Sequence, residues 1–345
     1  MKKLVKDRSH NLTKKLDYCN KELLAYKREC DEFEVVDDIK GLAMGLMGLM
    51  TEYESFLSEN VILEGKDQIL NLYLEVRHFL NMYEFIDDDY CIYTDYDQGD
   101  HFRIKLQCMD PSRKLSKYLE RAKSTVFFSA TLLPIKYYKE QLGGKEEDYA
   151  VYAPTSFSTD NRLIMIANDV STKYTRRNEK EYRKIVAYIK KFTDAKVGNY
   201  MVFFPSYAML SQIAEMAEDL IEGIVVQSNS MTEEDRELFL EEFVANPSTN
   251  RIGFCVMGGI FSEGIDLTSD RLIGAIIVGT GLPMVCNERE LFRGHFDEKN
   301  GMGFEYAYLY QGMNKVLQSA GRVIRTNEDR GTILLLDDRF TKKQY

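Results

Sequence analysis

The sequence predicts an α/β fold, a parallel sheet flanked by helices, with an N-terminal helical subdomain before it. Two observations predict it. From Thr125 onward, short runs that are apolar throughout alternate with helical stretches, the pattern of strands buried on both faces by crossover helices. Before about residue 85, charged runs alternate with apolar positions at spacings of three and four, as in Ile69, Leu72, Val76 and Phe79, and no proline occurs before Pro111.

Taken in order, residues 11–85 read as helices. The most apolar stretch, residues 41–50, is about half the length a membrane span needs. Asp37, Asp38 and Glu52 flank it, and its Leu/Met spacing with three glycines fits a closely packed helix. Asp87-Asp88-Asp89 reads as a solvated turn, because no His or Glu is placed to complete a metal site. Residues 90–94 and 102–106 alternate around Asp97-Gln98-Gly99-Asp100, which predicts a β-hairpin. A short amphipathic helix follows over 113–122. The strand-like runs are 125–128, 163–167, 200–204, 224–227, 252–256, 272–278 and 332–336. Helices are expected over about 179–192, 207–220, 232–244 and 310–325. Ser230-Met231-Thr232-Glu233 resembles a capping box opening the third of these. Ligands of such sheets bind beyond the carboxyl ends of the strands, and the unusual residues are expected there.

Composition narrows the function. The chain has 345 residues and a formal net charge of −10, which argues against wholesale coating of nucleic acid while leaving room for a local basic groove. The six cysteines show no Cys-x-x-Cys spacing, as expected of reduced thiols in a cytoplasmic protein rather than of a disulfide frame or zinc site. The basic N-terminus is followed by no apolar core, so no secretory signal is read.

Four stretches carry candidate chemistry. Ser129-Ala130-Thr131 places two hydroxyls at an expected strand end. Ser206, in Phe203-Phe204-Pro205-Ser206-Tyr207, stands where it can cap the following helix. Residues 258–267 combine three glycines, the acids Glu263 and Asp266, and apolar anchors. Gln318-Ser319-Ala320-Gly321-Arg322-Val323-Ile324-Arg325 presents two arginines three apart, on one face of an expected helix. Arginine keeps its charge at any working pH, and its planar fork fits phosphate oxygens, so such a pair suits a transferring phosphoryl group. Alone, Arg-x-x-Arg on a helix is most often a solvated face. Gly279-Thr280-Gly281 lacks the third glycine of a dinucleotide loop and reads as a turn. Tyr174-Thr175-Arg176-Arg177 sets an aromatic beside two cations, as a strand-tracking site would.

Together and in this order, these stretches resemble motifs III to VI of superfamily 2 helicases, most closely the XPD/DinG-like DNA helicases. Ser129-Ala130-Thr131-Leu132 looks like motif III. Gly259-x-Phe261-Ser262-Glu263-Gly264-Ile265-Asp266 looks like motif V, and Gln318-x-x-Gly321-Arg322-x-x-Arg325 like motif VI. The lead-in Leu106-x-Cys108-x-Asp110-Pro111-Ser112 and the continuation from Asp329-Arg330-Gly331 to Asp337-Asp338-Arg339-Phe340 are similar as well. The likeness runs from about residue 100 to 345, and the helical part before it resembles the family's arch insertion.

The resemblance implies an arch-like insertion with part of a β-hairpin over 1–100, the remnant of a first RecA-like domain over 101–157, and a second RecA-like domain over 158–345. It implies an ATP-dependent helicase that moves 5′-to-3′ on single-stranded DNA in repair or replication. Arg322 and Arg325 would stabilise charge on the γ-phosphate, and Gln318 would sense the nucleotide. Glu263, Gly264 and Asp266 would link nucleotide state to DNA grip, and Ser129 and Thr131 would couple hydrolysis to domain movement. Tyr174, Arg176, Arg177 and Ser206 are candidate DNA contacts. A Walker A loop and a DEAH box are absent from the sequence: Gly143-Gly144-Lys145 is followed by Glu146 rather than Ser or Thr. ATP and Mg2+ are therefore expected to be bound together with a missing N-terminal helicase half, and this chain alone is expected to be inactive. A 4Fe-4S cluster belongs to some of the family, but none of the six cysteines matches its ligands. The alternative is a non-catalytic DNA- or partner-binding module with a helicase-like sheet.

Overall fold

The computed structural model describes residues 2–6, 9–58, 66–262 and 265–345. The chain forms two compact units, one of residues 1–125 and 140–144, the other of residues 126–139 and 145–345.

The first unit carries α1 (Lys2–Val5), α2 (His10–Glu29), β1 (Phe33–Val36), α3 (Lys40–Ser58), α4 (Lys66–Tyr83), β2 (Tyr90–Tyr96), β3 (Phe102–Cys108) and α5 (Ser112–Leu119). Helix α3 contains the glycine-rich apolar run. A methyl group on its Gly45 would fall 2.7 Å from the Tyr18 ring, so the glycine is what lets α2 and α3 lie so close. Strands β2 and β3 form the expected hairpin, and the bidentate pair Arg103–Asp95 (2.9 and 2.7 Å) joins directly opposite residues. Strand β1 adds to β2 as a third antiparallel strand that sequence reading misses: at four residues it is too short to show a period. The triple aspartate is not a solvated turn. Asp87 pairs with Lys114 at 2.9 Å, and the buried Asp89 pairs with Arg113 at 2.9 Å, both cations arising from α5. Among the described residues, no helix is long and apolar enough to cross a membrane.

The second unit holds the first five residues of α6 (Ile135–Gln141), then β4 (Arg162–Ala167), α7 (Glu179–Asp194), β5 (Asn199–Phe204), α8 (Tyr207–Ala217), β6 (Ile224–Val226), α9 (Glu233–Glu241), β7 (Arg251–Val256), β8 (Gly274–Val278), α10 (Asn287–Asn300), α11 (Tyr310–Ala320) and β9 (Gly331–Leu336). A π-helical turn, Glu305–Leu309, leads directly into α11. The strands form one parallel sheet in the order β4-β9-β8-β5-β7-β6. Successive residues of β5 face opposite sides. Tyr200, Val202 and Phe204 pack under Ile185, Ile189, Leu210 and Ile213 of α7 and α8. Met201 and Phe203 belong to the other layer, with Phe239, Phe261, Ile265, Val316 and Val323. The central strands are thus covered on both faces, as their apolar make requires.

Three local expectations change. The run 125–128 is not a strand: it pairs with nothing among the described residues and lies exposed, Val126 at 79% and Phe128 at 89%. A parallel strand needs a neighbour to take its backbone hydrogen bonds, and the one parallel sheet described here is built without it. The capping box lies two residues later than expected. Thr232 caps α9, and Asp235 rather than Glu233 closes the box, with Thr232 N donating to Asp235 Oδ2 at 2.8 Å. The third concerns α11, which ends at Ala320 rather than near 325. Gly321 follows it, and Arg322 N and Val323 N donate to the carbonyls three residues back in a tightened last turn.

Candidate functional site

The site is built where two returning segments meet on one face of the sheet. The first leaves β7. Gly258 takes a positive φ of 72°, and the buried Ser262 hydroxyl accepts from Gly258 N (2.8 Å) and donates to Val256 O (3.2 Å), closing the turn. Phe261 is wholly buried and stacks on Phe239 of α9 at 4.3 Å, while Ile265 and Leu267 are buried beyond it. These anchors fix the described part of the loop. The second segment follows α11. Arg322 donates to Ser262 O at 2.5 Å and to Ile265 O at 3.4 Å. Arg325 donates to Ile265 O at 3.5 Å and pairs with Asp266 at 3.4 Å. That ion pair is largely exposed, and pairs of that kind contribute little. The carbonyl bonds and the packing below are what set the geometry.

The residues of motifs V and VI that the structure describes therefore come together. Glu263 and Gly264 lie outside the described residues. Gln318 is half-buried on α11, four residues before Arg322. The arginines do not share a helix face, because the helix has ended; they stand on the turn between α11 and β9. Nor do they lie beyond the carboxyl ends of the strands. The segment precedes β9, so α11 runs back along the sheet and presents them toward the amino end of that strand. Ser129 is exposed and Thr131 half-buried, and they hydrogen-bond to each other, the hydroxyls 3.3 Å apart, rather than ending a strand.

The remaining candidates have local duties. Ser206 caps α8, accepting from Met209 N at 3.3 Å. Arg176 pairs with Glu181 (3.0 Å) and Asp338 (3.7 Å), so its charge is already compensated. Arg177 donates to Thr172 O and lies 5.8 Å from the ring of Tyr174, which is 85% exposed.

Sequence reading missed Asp329 as a positioning residue. It is buried, and its carboxylate accepts from Arg325 N, Thr326 N, the Thr326 hydroxyl and Ser269 N at 2.7–2.9 Å. Burial alone would raise its pKa, but these hydrogen bonds outweigh it and hold the carboxyl below its ordinary value. Asp329 thus ties the backbone that carries Arg325 to the turn before β8. The signal in the sequence is Thr326-x-x-Asp329, an acid three residues past a threonine in a loop. A second missed feature is α6. Its Tyr137 ring meets those of Tyr306 and Tyr310 edge-on or tilted at 4.7 and 5.0 Å, and the Tyr138 hydroxyl accepts from Asn314 of α11. The stretch after Ser129-Ala130-Thr131 is thereby clasped to the helix that leads to Arg322.

Residues 189–345 match the helicase C-terminal domain family. The ATP-dependent DNA helicase DinG of Photobacterium profundum is 25% identical over 258 residues, covering 72% of this chain and 36% of that protein. The helicase subunit XPD/RAD3 of general transcription and DNA repair factor IIH from Saccharomyces cerevisiae is 25% identical over 258 residues, covering 70% of this chain and 33% of that protein. The chain therefore spans about a third of the length of these relatives. Two solved XPD structures share the fold. An XPD helicase has a TM-score of 0.57 and 19% identity over 97% of this chain and 59% of its own, and an apo XPD has 0.59 and 20% over 96% and 66%. With motifs V and VI assembled on a six-stranded parallel sheet of this kind, residues 189–345 carry the match to the helicase C-terminal domain, and the chain is similar to the corresponding portion of XPD/DinG-like helicases.

Proposed function

We propose that the chain is the C-terminal half of an ATP-dependent helicase that moves 5′-to-3′ along single-stranded DNA, acting in the cytoplasm in DNA repair or replication. The observation that carries this reading is the seating of Arg322 and Arg325 on the carbonyls of Ser262 and Ile265. A loop whose shape follows the γ-phosphate would move the arginines, and the reverse.

The donor set fits the phosphate side of ATP–Mg2+. Two guanidinium groups stand together, and the carboxylate of Asp266 beside Arg325 is already paired. It does not fit the metal, which would be held by a P-loop and DEAH acids in the other half. ATP bound there supplies the phosphoryl group and the free energy of its transfer. Arg322 and Arg325 offset the charge that spreads over the phosphoryl oxygens. Asp329 holds the backbone of Arg325 in place. The Tyr137 clasp passes movement of α11 to Ser129 and Thr131. The exposed Val126, Phe127 and Phe128 supply an apolar docking strip for that other half, the partner of this chain besides the DNA.

Steady-state ATP hydrolysis with single-stranded DNA tests the assignment. It is compared between this chain and the protein that also carries the P-loop and DEAH acids. Turnover confined to the second is expected. DNA-stimulated turnover by this chain alone would overturn the division into halves, and no turnover in either would overturn the helicase reading.

A further inference from the structure

Gln227 directly follows β6, and there its side chain takes over from the backbone. Val226 pairs with Phe254 of β7, and Gln227 N donates to Phe254 O at 2.9 Å. Two residues further along β7, Val256 N donates to Gln227 Oε1 at 2.9 Å. The other end of the same carboxamide donates from Nε2 to the Tyr207 hydroxyl at 2.7 Å. A backbone N–H can only donate, so the oxygen must face Val256 and the nitrogen Tyr207. Tyr207 is the first residue of α8, next to the Ser206 cap. Gln227 is 2% exposed, and a carboxamide buried to that degree is held in place by the partners that satisfy it.

Val256 is the root of the loop that carries the seat of Arg322. Its N–H goes to Gln227, and its carbonyl accepts from Gly259 N at 3.0 Å and from the Ser262 hydroxyl at 3.2 Å. The next residue, Met257, donates its N–H to Phe204 O of β5 at 2.8 Å. The loop is thus held from the β5 side by backbone and from the β6 side by one side chain. Gly259 lies against that side chain: a methyl group there would stand 3.1 Å from Gln227 Nε2, tighter than an ordinary contact. Ser262 in turn accepts from Arg322 through its carbonyl. A continuous chain of hydrogen bonds therefore runs from Tyr207 through Gln227, Val256 and Ser262 to Arg322.

We propose that Gln227 is a positioning residue for Arg322: its carboxamide ties the root of the 258–267 loop to the start of α8 and so sets where the Ser262 carbonyl holds the guanidinium. What Arg322 does there rests on the helicase reading; that Gln227 braces the loop does not. Gln227 touches neither arginine, so it acts only through the loop.

Hydrogen exchange tests the brace, and ATP turnover tests its consequence. In this chain, amide exchange followed by mass spectrometry should be faster over residues 256–262 in Gln227→Met than in the wild type, with β8 unchanged. In the protein that carries both helicase halves, Gln227→Met should lower kcat for ATP by about 10- to 100-fold, the cost of a misplacement of about 1 Å, and leave KM for ATP unchanged. Gln227→Glu should recover both readouts, because its carboxylate accepts from Val256 N and from the Tyr207 hydroxyl, which turns to donate. That recovery should be lost when Tyr207→Phe is added. Tyr207→Phe alone keeps the acceptor for Val256 N, and it serves if Gln227→Met does not fold; it should lower kcat by a smaller factor. Exchange and kcat like those of the wild type in Gln227→Met would overturn the proposal. So would a rise in KM with kcat unchanged, or equal turnover in Gln227→Glu and Gln227→Met. Faster exchange with an unchanged kcat would overturn the link to Arg322. Absence of turnover in the wild-type longer protein would overturn the helicase reading, and exchange would then decide the brace by itself.

Discussion

Strand β8 and residues 125–128 are two short apolar runs of similar make, and they end in opposite states. Every residue of β8 is buried, and Ile276, Ile277 and Val278 are wholly so. Val126 and Phe128 are among the most exposed side chains described. Strand β8 has β5 on one side and β9 on the other, with a helical layer over each face. Residues 125–128 have no strand beside them among the described residues. Strand β4 lies between these extremes: it pairs with β9 alone and leaves Leu163, Ile164, Met165 and Ile166 exposed. An apolar run is therefore a demand for neighbours, and whether a strand forms depends on the neighbours that are present. The contrast extends to function. Arg322 has a partner loop and a defined place, whereas Ser129 and Thr131 have each other.

The largest effect expected from this contrast is at Ile277. Replacement by Ala should lower unfolding free energy by about 2–5 kcal/mol in urea denaturation, because a wholly buried side chain leaves a cavity between two covered layers. Asp329→Ala should cost about 1–3 kcal/mol, since it strands N–H donors that the carboxylate now satisfies. Its pH dependence has a definite sign. The folded carboxyl lies below its unfolded value near 4, so it stabilises the fold above about pH 4. That contribution is lost as pH falls through the folded value, and Asp329→Ala should lack this part of the acid transition. The smallest effect is at Phe128, where replacement by Ser in this chain should change stability by no more than about 0.5 kcal/mol. A cost at Phe128 comparable to that at Ile277 would break the contrast, by showing that residues 125–128 are buried in solution.

The sheet was legible because each of its strands is apolar throughout and each is followed by a helix or a turn with clear punctuation. Residues 200–204, 252–256 and 332–336 were placed within a residue of β5, β7 and β9 for that reason. Motifs V and VI were legible as residue types, and the structure brings together those it describes. Their setting was not legible. A helix end at Gly321 is fixed by tertiary partners such as Asp329, and a regular spacing of arginines gives no sign of it. Strand β1, helix α6 and the Tyr137 clasp were missed because each is short and acquires its order from residues far along the chain.

The most direct test of the account is ATP hydrolysis by Arg322→Ala in the protein that carries both helicase halves. Loss of an arginine finger lowers turnover by about 10³–10⁵. A fall of that order is expected, with single-strand binding largely retained, because Arg322 is engaged with Ser262 and Ile265 on the side assigned to the nucleotide. Turnover like that of the wild type would contradict the assignment of Arg322 to the nucleotide.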